Sequence, residues 1–294
     1  MIPVHTSIAT LRGSLWEARV TGKVVGLVPT MGALHEGHAS LVRAAAAACD
    51  VVVTTVFVNP LQFAPTDDLA AYPRDLAADV VLAEAAGATA MFAPGVDEMY
   101  PFGPGNVLTS VRVGAVSEPL EGAHRPGHFD GVATVVAKLF AIAGPCSAFF
   151  GEKDFQQLAV IRRMAADLSF PVEVIGCPTV REANGLAMSS RNRYLTAAQF
   201  DGASVIHRAL MAGRSAIEAD GADGMDRPDA VRSVMRALLD ASPVVAGVDY
   251  AEVVDPATFA VPERLSGGVR LLIAARVGKA RLIDNIAASA PEAS

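Results

Sequence analysis

The sequence predicts an α/β fold, a doubly wound parallel sheet followed by a smaller C-terminal α+β domain, and three observations predict it. Apolar runs at 24–28 and 51–58 are continuous and rich in β-branched residues, as in parallel strands covered on both faces. An alanine-rich helical stretch, 39–48, lies between them and makes a βαβ unit. The alternation repeats to about residue 176, after which helices and then strands follow in separate blocks.

In chain order, Ile8, Leu11, Leu15 and Ala18 have helical spacing, with Ser7 as N-cap. Lys23–Val28 and Asp50–Val58 are buried strands on either side of the 39–48 helix. A helix opens at Tyr72-Pro73-Arg74-Asp75 and stops at Gly87; a short strand covers Thr89–Phe92. Residues 93–119 are Gly- and Pro-rich loops with a brief strand at Val107–Val111. The polar loop Glu121–Gly131 precedes a helix over Val132–Ile142. Ser147–Phe150 is a strand, Phe155, Leu158, Ile161 and Ala165 mark a helix, and Pro171–Gly176 is a further strand. Beyond Cys177 come an irregular stretch to Arg193, a helix over Ala197–Ile217, an exposed loop over 219–228 and a helix over Ala230–Ala241. Strands follow at Val248–Val254, Val269–Val277 and Lys279–Ile283. The expected division is therefore 1–176, 177–286 and a frayed tail, 287–294.

Bulk composition narrows the functional classes. Of 294 residues, 52% are hydrophobic and 19% charged, enough to build a core and too few charges for wholesale disorder. A net charge of −7 argues against a general nucleic-acid surface. Cys49, Cys146 and Cys177 are scattered and odd in number, which points to thiols in a reducing compartment. There is no signal-peptide pattern and no apolar run of membrane-spanning length, so the expectation is a soluble cytoplasmic protein with no membrane partner.

The chemistry-bearing residues gather at strand ends. In Pro29-Thr30-Met31-Gly32-Ala33-Leu34-His35-Glu36-Gly37-His38, two histidines three apart share one face at a helix start. Helix N-termini attract anions. Asn59 and Gln62 follow the second strand, Lys153 and Asp154 follow another, His124 and His128 share a loop, and Ser189, Ser190, Arg191 and Arg193 lie near the domain junction. Ligands of doubly wound sheets collect at the carboxyl ends of the strands. Cations and N–H donors there suit phosphoryl or nucleotidyl transfer, whose transition state gains charge on phosphate oxygens. No P-loop and no Gly-x-Gly-x-x-Gly follows a strand, against a P-loop kinase and a dinucleotide oxidoreductase. The His35–His38 spacing does not match the helical zinc pair, and no Gly-x-Ser-x-Gly elbow is present. Plainer readings stay open: a capped helix with surface histidines, solvated arginines, surface amides at Gln62 and Gln157, a turn at Asn59-Pro60, and core methionines at Met31 and Met188.

Taken in order, Pro29–His38, Phe57–Phe63, Tyr72-Pro73-Arg74, His124–Gly131, Phe150–Gln157, Met188–Asn192, Ala275–Lys279 and Leu282-Ile283-Asp284-Asn285 resemble the pantoate–β-alanine ligase family over most of the chain. His35-Glu36-Gly37-His38 resembles the His-x-Gly-His signature of a nucleotidyltransferase-like superfamily. The resemblance implies a Rossmann-like first domain, a lid-like second one and a homodimer. It also implies condensation of pantoate with β-alanine through pantoyl adenylate, using ATP and Mg2+ and releasing AMP and pyrophosphate. Other readings are a nucleotidyltransferase that stops at the adduct and a nucleotide-binding module without activity.

Carried onto this sequence, the resemblance gives catalytic roles to His35, His38, Lys153 and Arg191. ATP would be held by Met31, His38, Gly151, Lys153, Asp154, Val180, Met188, Ser189, Ser190 and Arg191. Pantoate would meet Gln62 and Gln157, with Met31, Phe57 and Val132 on its apolar side. Asn59, Tyr72, Arg125 and His128 would shape the cleft. Asp79 is the acid nearest to where the family carries adjacent magnesium-binding acids, but Ala78 precedes it; Asp75 stands where a Thr is expected.

Overall fold

The computed structural model describes residues 1–63, 73–219 and 227–291. The chain divides into two compact units, one made of 1–117, 121–152 and 157–178, the other of 118–120, 153–156 and 179–294. The simple boundary at 176 thus needs amending: the short segment 153–156, with Lys153 in it, belongs to the second unit.

The first unit opens with β1 (Val4–His5) and α1 (Ile8–Val20), capped by the Ser7 side chain on the Thr10 N–H. Then come β2 (Val25–Val28), α2 (Glu36–Ala48), β3 (Val51–Thr55), α3 (Leu76–Ala86), β4 (Ala90–Phe92) and the short α4 (Val96–Met99). The one-turn α5 (Glu121–His124), α6 (His128–Ala143), β5 (Cys146–Gly151), α7 (Phe155–Asp167) and β6 (Val172–Cys177) follow. Among the described residues the strands form one parallel sheet in the order β1-β4-β3-β2-β5-β6. Val25, Leu27, Val28, Val52 and Val53 are all buried, as the unbroken apolar runs require. Leu41, Val42 and Ala45 of α2 and Val80 and Ala83 of α3 pack in one core with Val28, Val52 and Met91 of the sheet. Strand order reverses between β2 and β5, so the crevice beyond Val28 and Gly151 is the topological switch point of this sheet.

Two local expectations change. Residues 107–111 form no strand; instead the Val111 N–H donates to Thr134 Oγ1 at 3.0 Å, a side chain of α6. The α6 helix begins at His128, four residues earlier than its apolar run, because the polar first turn is held by tertiary partners described below.

The second unit holds α8 (Ala197–Gly202), α9 (Val205–Glu218), α10 (Pro228–Asp240) and an antiparallel sheet of β7 (Val245–Val254), β8 (Gly267–Val277) and β9 (Ala280–Ala290). The helix expected over 197–217 is interrupted at Ala203–Ser204. Ile206 and Leu210 of α9 and Val231, Met235 and Leu239 of α10 pack with Val253, Leu271, Ile273 and Leu282 of the sheet. The expected tail is shortened: β9 continues to Ala290, pairing Ala287–Ala290 with Arg270–Gly267, because that ladder satisfies backbone groups that a frayed end would leave to water. Most of the loop expected at 219–228 lies outside the described residues.

Candidate active site

The loop between β2 and α2 is held from two sides. Thr30 N–H donates to Thr55 Oγ1 at 3.2 Å, and Phe57 N–H donates to Thr30 O at 3.2 Å, tying the loop to the end of β3. Asp79, 3% exposed on α3, accepts the Leu34 N–H on Oδ1 at 2.7 Å and the Ala33 N–H on Oδ2 at 3.1 Å. Two backbone donors stabilise a buried carboxylate that would otherwise be expensive to desolvate. Gly32 sits at φ +85°, and a Cβ there would lie 2.9 Å from Asp79 Oδ2, so the loop closes over the carboxylate only with glycine.

The loop delivers both histidines to the first turn of α2 as a reciprocal cap. His35 Nδ1 accepts the Gly37 N–H at 3.1 Å, and His38 Nδ1 accepts the His35 N–H at 3.3 Å. The rings lie with centroids 4.1 Å apart. Because each Nδ1 is an acceptor, each neutral ring carries its proton on Nε2. The corner therefore combines two imidazole N–H donors with the positive end of a helix dipole, a combination suited to an oxyanion.

A second set of side chains fixes the turn after β3. Asn59, 1% exposed, accepts from Leu61 N–H (3.3 Å) and the Tyr100 hydroxyl (2.7 Å) and donates to Gly131 O (3.1 Å) and Gln62 Oε1 (3.2 Å). Its hydrogen-bonding capacity is used, so it shapes the site rather than reading a ligand. Burial pushes the Tyr100 phenol pKa up, keeping the hydroxyl a donor. Gln62 Nε2 meets Met31 Sδ at 2.8 Å, which joins the two loops expected to face pantoate. His128 Nδ1 donates to Gln62 O at 3.0 Å, and its Nε2 faces an Arg125 nitrogen at 3.0 Å, so this pair orders the loop around Gln62 and the start of α6. Gly131 makes that approach possible, because a Cβ there would overlap Leu61 O. Phe57 and Val132 are buried apolar residues in the same region, Gln157 is half-buried at the start of α7, and Gly151 ends β5. Tyr72 lies outside the described residues.

In the second unit three of the residues expected to hold ATP, Lys153, Ser189 and Arg191, line a small recess together with Arg281, Asp284 and apolar groups including Leu186, Ile206 and Leu282. Lys153 Nζ lies 3.6 Å from Asp154 Oδ1, with the lysine side chain only 16% exposed. Ser189 Oγ caps the 3-10 turn 190–194 by accepting the Arg191 N–H at 3.3 Å, which turns Arg191 toward the recess. Val180 and Met188 are direct backbone partners, Met188 N–H donating to Val180 O at 3.0 Å across a small hairpin. Ser190 starts the same 3-10 turn.

The histidine corner of the first unit and the lysine-arginine recess of the second each suit an anion, and comparison with known proteins decides the family. A family profile described as Pantoate-beta-alanine ligase matches residues 3–287. The chain belongs to the pantoate–β-alanine ligase family. A pantothenate synthetase from Cereibacter sphaeroides is 51% identical over 286 residues, covering 97% of this chain and 99% of the relative. The crystal structure of the pantothenate synthetase from Thermus thermophilus superposes with a TM-score of 0.88 at 46% identity, covering 97% of this chain and 99% of that one. A Francisella tularensis pantoate–β-alanine ligase, crystallised with β-γ ATP and β-alanine, gives a TM-score of 0.77 at 31% identity, with 97% of each chain covered. Like them, this chain is a ligase with a parallel α/β domain and a small antiparallel C-terminal sheet.

For this member of the ligase family, the expectation that Asp79 helps hold magnesium does not fit the local geometry. Both carboxylate oxygens accept backbone bonds from the histidine loop, and the residue is buried. Among the described residues, no group of three or more His, Cys, Asp or Glu forms a metal site. Residues absent from the sequence reading are Arg281 in the recess, Tyr100 behind Asn59, and Arg181, the partner of Asp284, which was quoted only as part of a motif. Their signal in sequence was weak, since each acts through a partner at least 32 positions away, as Arg281 does with Asp249.

Proposed function

We propose that this chain condenses pantoate with β-alanine in two steps on one site, using ATP and passing through pantoyl adenylate. In the first step a pantoate carboxylate oxygen attacks the α-phosphorus and the Pα–O bond to pyrophosphate breaks. In the second, the β-alanine nitrogen attacks the acyl carbon and AMP leaves with the electron pair of the C–O bond. The observation that carries the reading is the paired His35–His38 cap, which supports two Nε2–H donors at a helix N-terminus. Such donors stabilise charge that develops on phosphate oxygens, and they do so without a proton transfer.

Lys153, Ser189, Ser190 and Arg191 would neutralise the triphosphate and the departing pyrophosphate. Gly151, Asp154 and the Val180–Met188 hairpin would hold the nucleoside. Gln62 and Gln157 would bond the pantoate hydroxyls and carboxylate, with Met31, Phe57 and Val132 against its methyl groups. Magnesium would enter with the nucleotide, held by phosphate oxygens and water; among the described residues no group of three or more His, Cys, Asp or Glu could hold a metal ion. A homodimer is part of the same reading, to be read from sedimentation equilibrium, as is a cytoplasmic location consistent with three free cysteines. The bound substrates of the Francisella protein support the ATP and β-alanine assignments.

The direct test is exchange of labelled pyrophosphate into ATP with pantoate and Mg2+ but without β-alanine. Exchange that depends on pantoate is the expected result. Pantothenate formation without such exchange would overturn the adenylate, and exchange with no amide product on adding β-alanine would leave only the adduct-forming activity.

A further inference from the structure

Asp284 and Asn285, at the centre of β9, join two parts of the second unit that the proposed reaction uses. Asn285 Nδ2 donates to the backbone oxygen of Lys153 at 2.8 Å, across 132 residues of sequence. Asn285 Oδ1 accepts from Arg270 Nε at 2.7 Å, and that guanidinium lies 3.9 Å over the Phe155 ring, two residues beyond Lys153. Arg270 is 8% exposed, so its stacking and its bond to Asn285 hold a buried cation in place. The Asn285 N–H donates to Asp284 Oδ1 at 2.7 Å. Asp284, with its side chain 2% exposed, takes both forks of Arg181 at 2.6 and 3.0 Å. Arg181 then donates to Gly185 O at 3.0 Å, in the turn of the hairpin that pairs Val180 with Met188 and leads into Ser189.

We propose that Arg181, Asp284 and Asn285 form a positioning relay that sets Lys153 in register with the Val180–Arg191 hairpin and loop. None of the three is a catalytic residue. The physical argument is that Lys153 sits in the single 3-10 turn Glu152–Asp154 between β5 and α7, and that its backbone oxygen is bonded from β9. A bidentate arginine–carboxylate pair is rigid in plane and angle, unlike a lysine pair. Linking it through one asparagine to the Lys153 carbonyl transmits that rigidity to the segment bearing the ammonium. An asparagine suits this position because its amide accepts from Arg270 and donates to a carbonyl at once, which neither aspartate nor leucine can do. The inference rests on the reading of Lys153 as a triphosphate contact.

The test uses Asn285→Asp in the full chain. That change keeps an acceptor for Arg270 and replaces the donor to Lys153 O by a carboxylate oxygen, beside the buried Asp284 carboxylate. Pyrophosphate exchange and full turnover are measured with separate titrations of ATP and pantoate, alongside the melting temperature. The expected result is a loss of about tenfold or more in kcat/KM for ATP, since small misplacements of a reacting group cost up to about a hundredfold. KM for pantoate stays at the wild-type value even where the melting temperature falls, because a buried carboxylate costs stability throughout the unit, and Asn285→Gln, which retains both amide functions, recovers part of the loss. Wild-type kinetics in Asn285→Asp would overturn the relay, as would a loss shared equally by both substrates and tracking the melting temperature. Lys153→Ala is run beside it: a strong loss there with none in Asn285→Asp refutes the relay alone, whereas wild-type exchange in Lys153→Ala refutes the phosphate role of Lys153 itself.

Discussion

The two corners proposed to bind the nucleotide are built in opposite ways. At His35–His38, each histidine is fixed by a backbone group within three residues, and the loop leans on one buried carboxylate, Asp79. At Lys153–Arg191, the lysine carbonyl is held by Asn285, and the hairpin is held by Asp284, 103 positions from its partner Arg181. The first corner is a local conformation that a short peptide pattern specifies, because the imidazoles serve as their own helix cap. The second is an assembly whose parts have no fixed relation until β9 is paired in its sheet. The histidine cap forms within one helical turn, on a loop that Asp79 steadies, whereas the recess depends on the C-terminal core.

Substitutions can break or sharpen that contrast. The largest effects belong to the charge-bearing groups themselves. His38→Ala and Lys153→Ala are each expected to lower pyrophosphate exchange by about 10² to 10³, the scale of losing one preorganised donor to a transition-state oxyanion. Single-turnover kinetics checks this, and retention of exchange by either one would remove that corner from the chemistry.

Asp79→Ala comes next. It leaves the Ala33 and Leu34 N–H groups without their carboxylate partners, at about 1–3 kcal/mol for each unsatisfied group. Both turnover and thermal stability are expected to fall together. Addition of Mg2+ should restore neither, and recovery at high magnesium would instead return Asp79 to the metal.

Gly131→Ala follows. The added methyl would meet Leu61 O, so the 59–62 turn must move by ångströms, at about 1–3 kcal/mol for overpacking. The expected signature is a raised KM for pantoate with the KM for ATP unchanged, because Gln62 moves while the recess does not. Equal changes in both would mean that the turn and the recess are not separable.

The smallest effect is a pH dependence confined to the second unit. His207 Nδ1 is buried without a hydrogen-bond partner and lies 4.0 Å from Asp284 Oδ2. Burial lowers its pKa below the ordinary 6.5, helped by the Arg181 cation and by Arg214, against the pull of Asp284. A base whose folded pKa is depressed binds fewer protons folded than unfolded, so stability rises with pH across that interval. Its contribution is therefore complete above pH 6.5 and declines as pH falls toward the folded pKa. Melting curves of His207→Asn are expected to show a flatter acid limb than wild type, and an unchanged limb would assign the acid sensitivity elsewhere.

Most of the parallel sheet was legible because its strands are buried on both faces and read as unbroken apolar runs, as Val25–Val28 and Val51–Thr55 do. The Ser7 cap and the Gly87 stop were legible for the same reason of locality. The start of α6 was not, since His128 enters the helix through bonds to Gln62 and Arg125 rather than through apolar spacing. The stretch 107–111 has β-branched residues but pairs with no strand among the described residues and so forms no ladder. Asp79 was read as a possible metal ligand from the family resemblance, and an acid on a helix looks the same in sequence whether it faces a cation or two backbone amides.

By itself the sequence determined the class of fold and the family, since each depends on residues near in the chain or on many motifs kept in order. Tertiary structure alone decided what Asp79 holds, which asparagine is fully bonded, and how Lys153 is anchored through Asn285. The reason is physical: a hydrogen bond needs an angle and about 3 Å of separation, and for groups more than a hundred residues apart only the packed cores provide either.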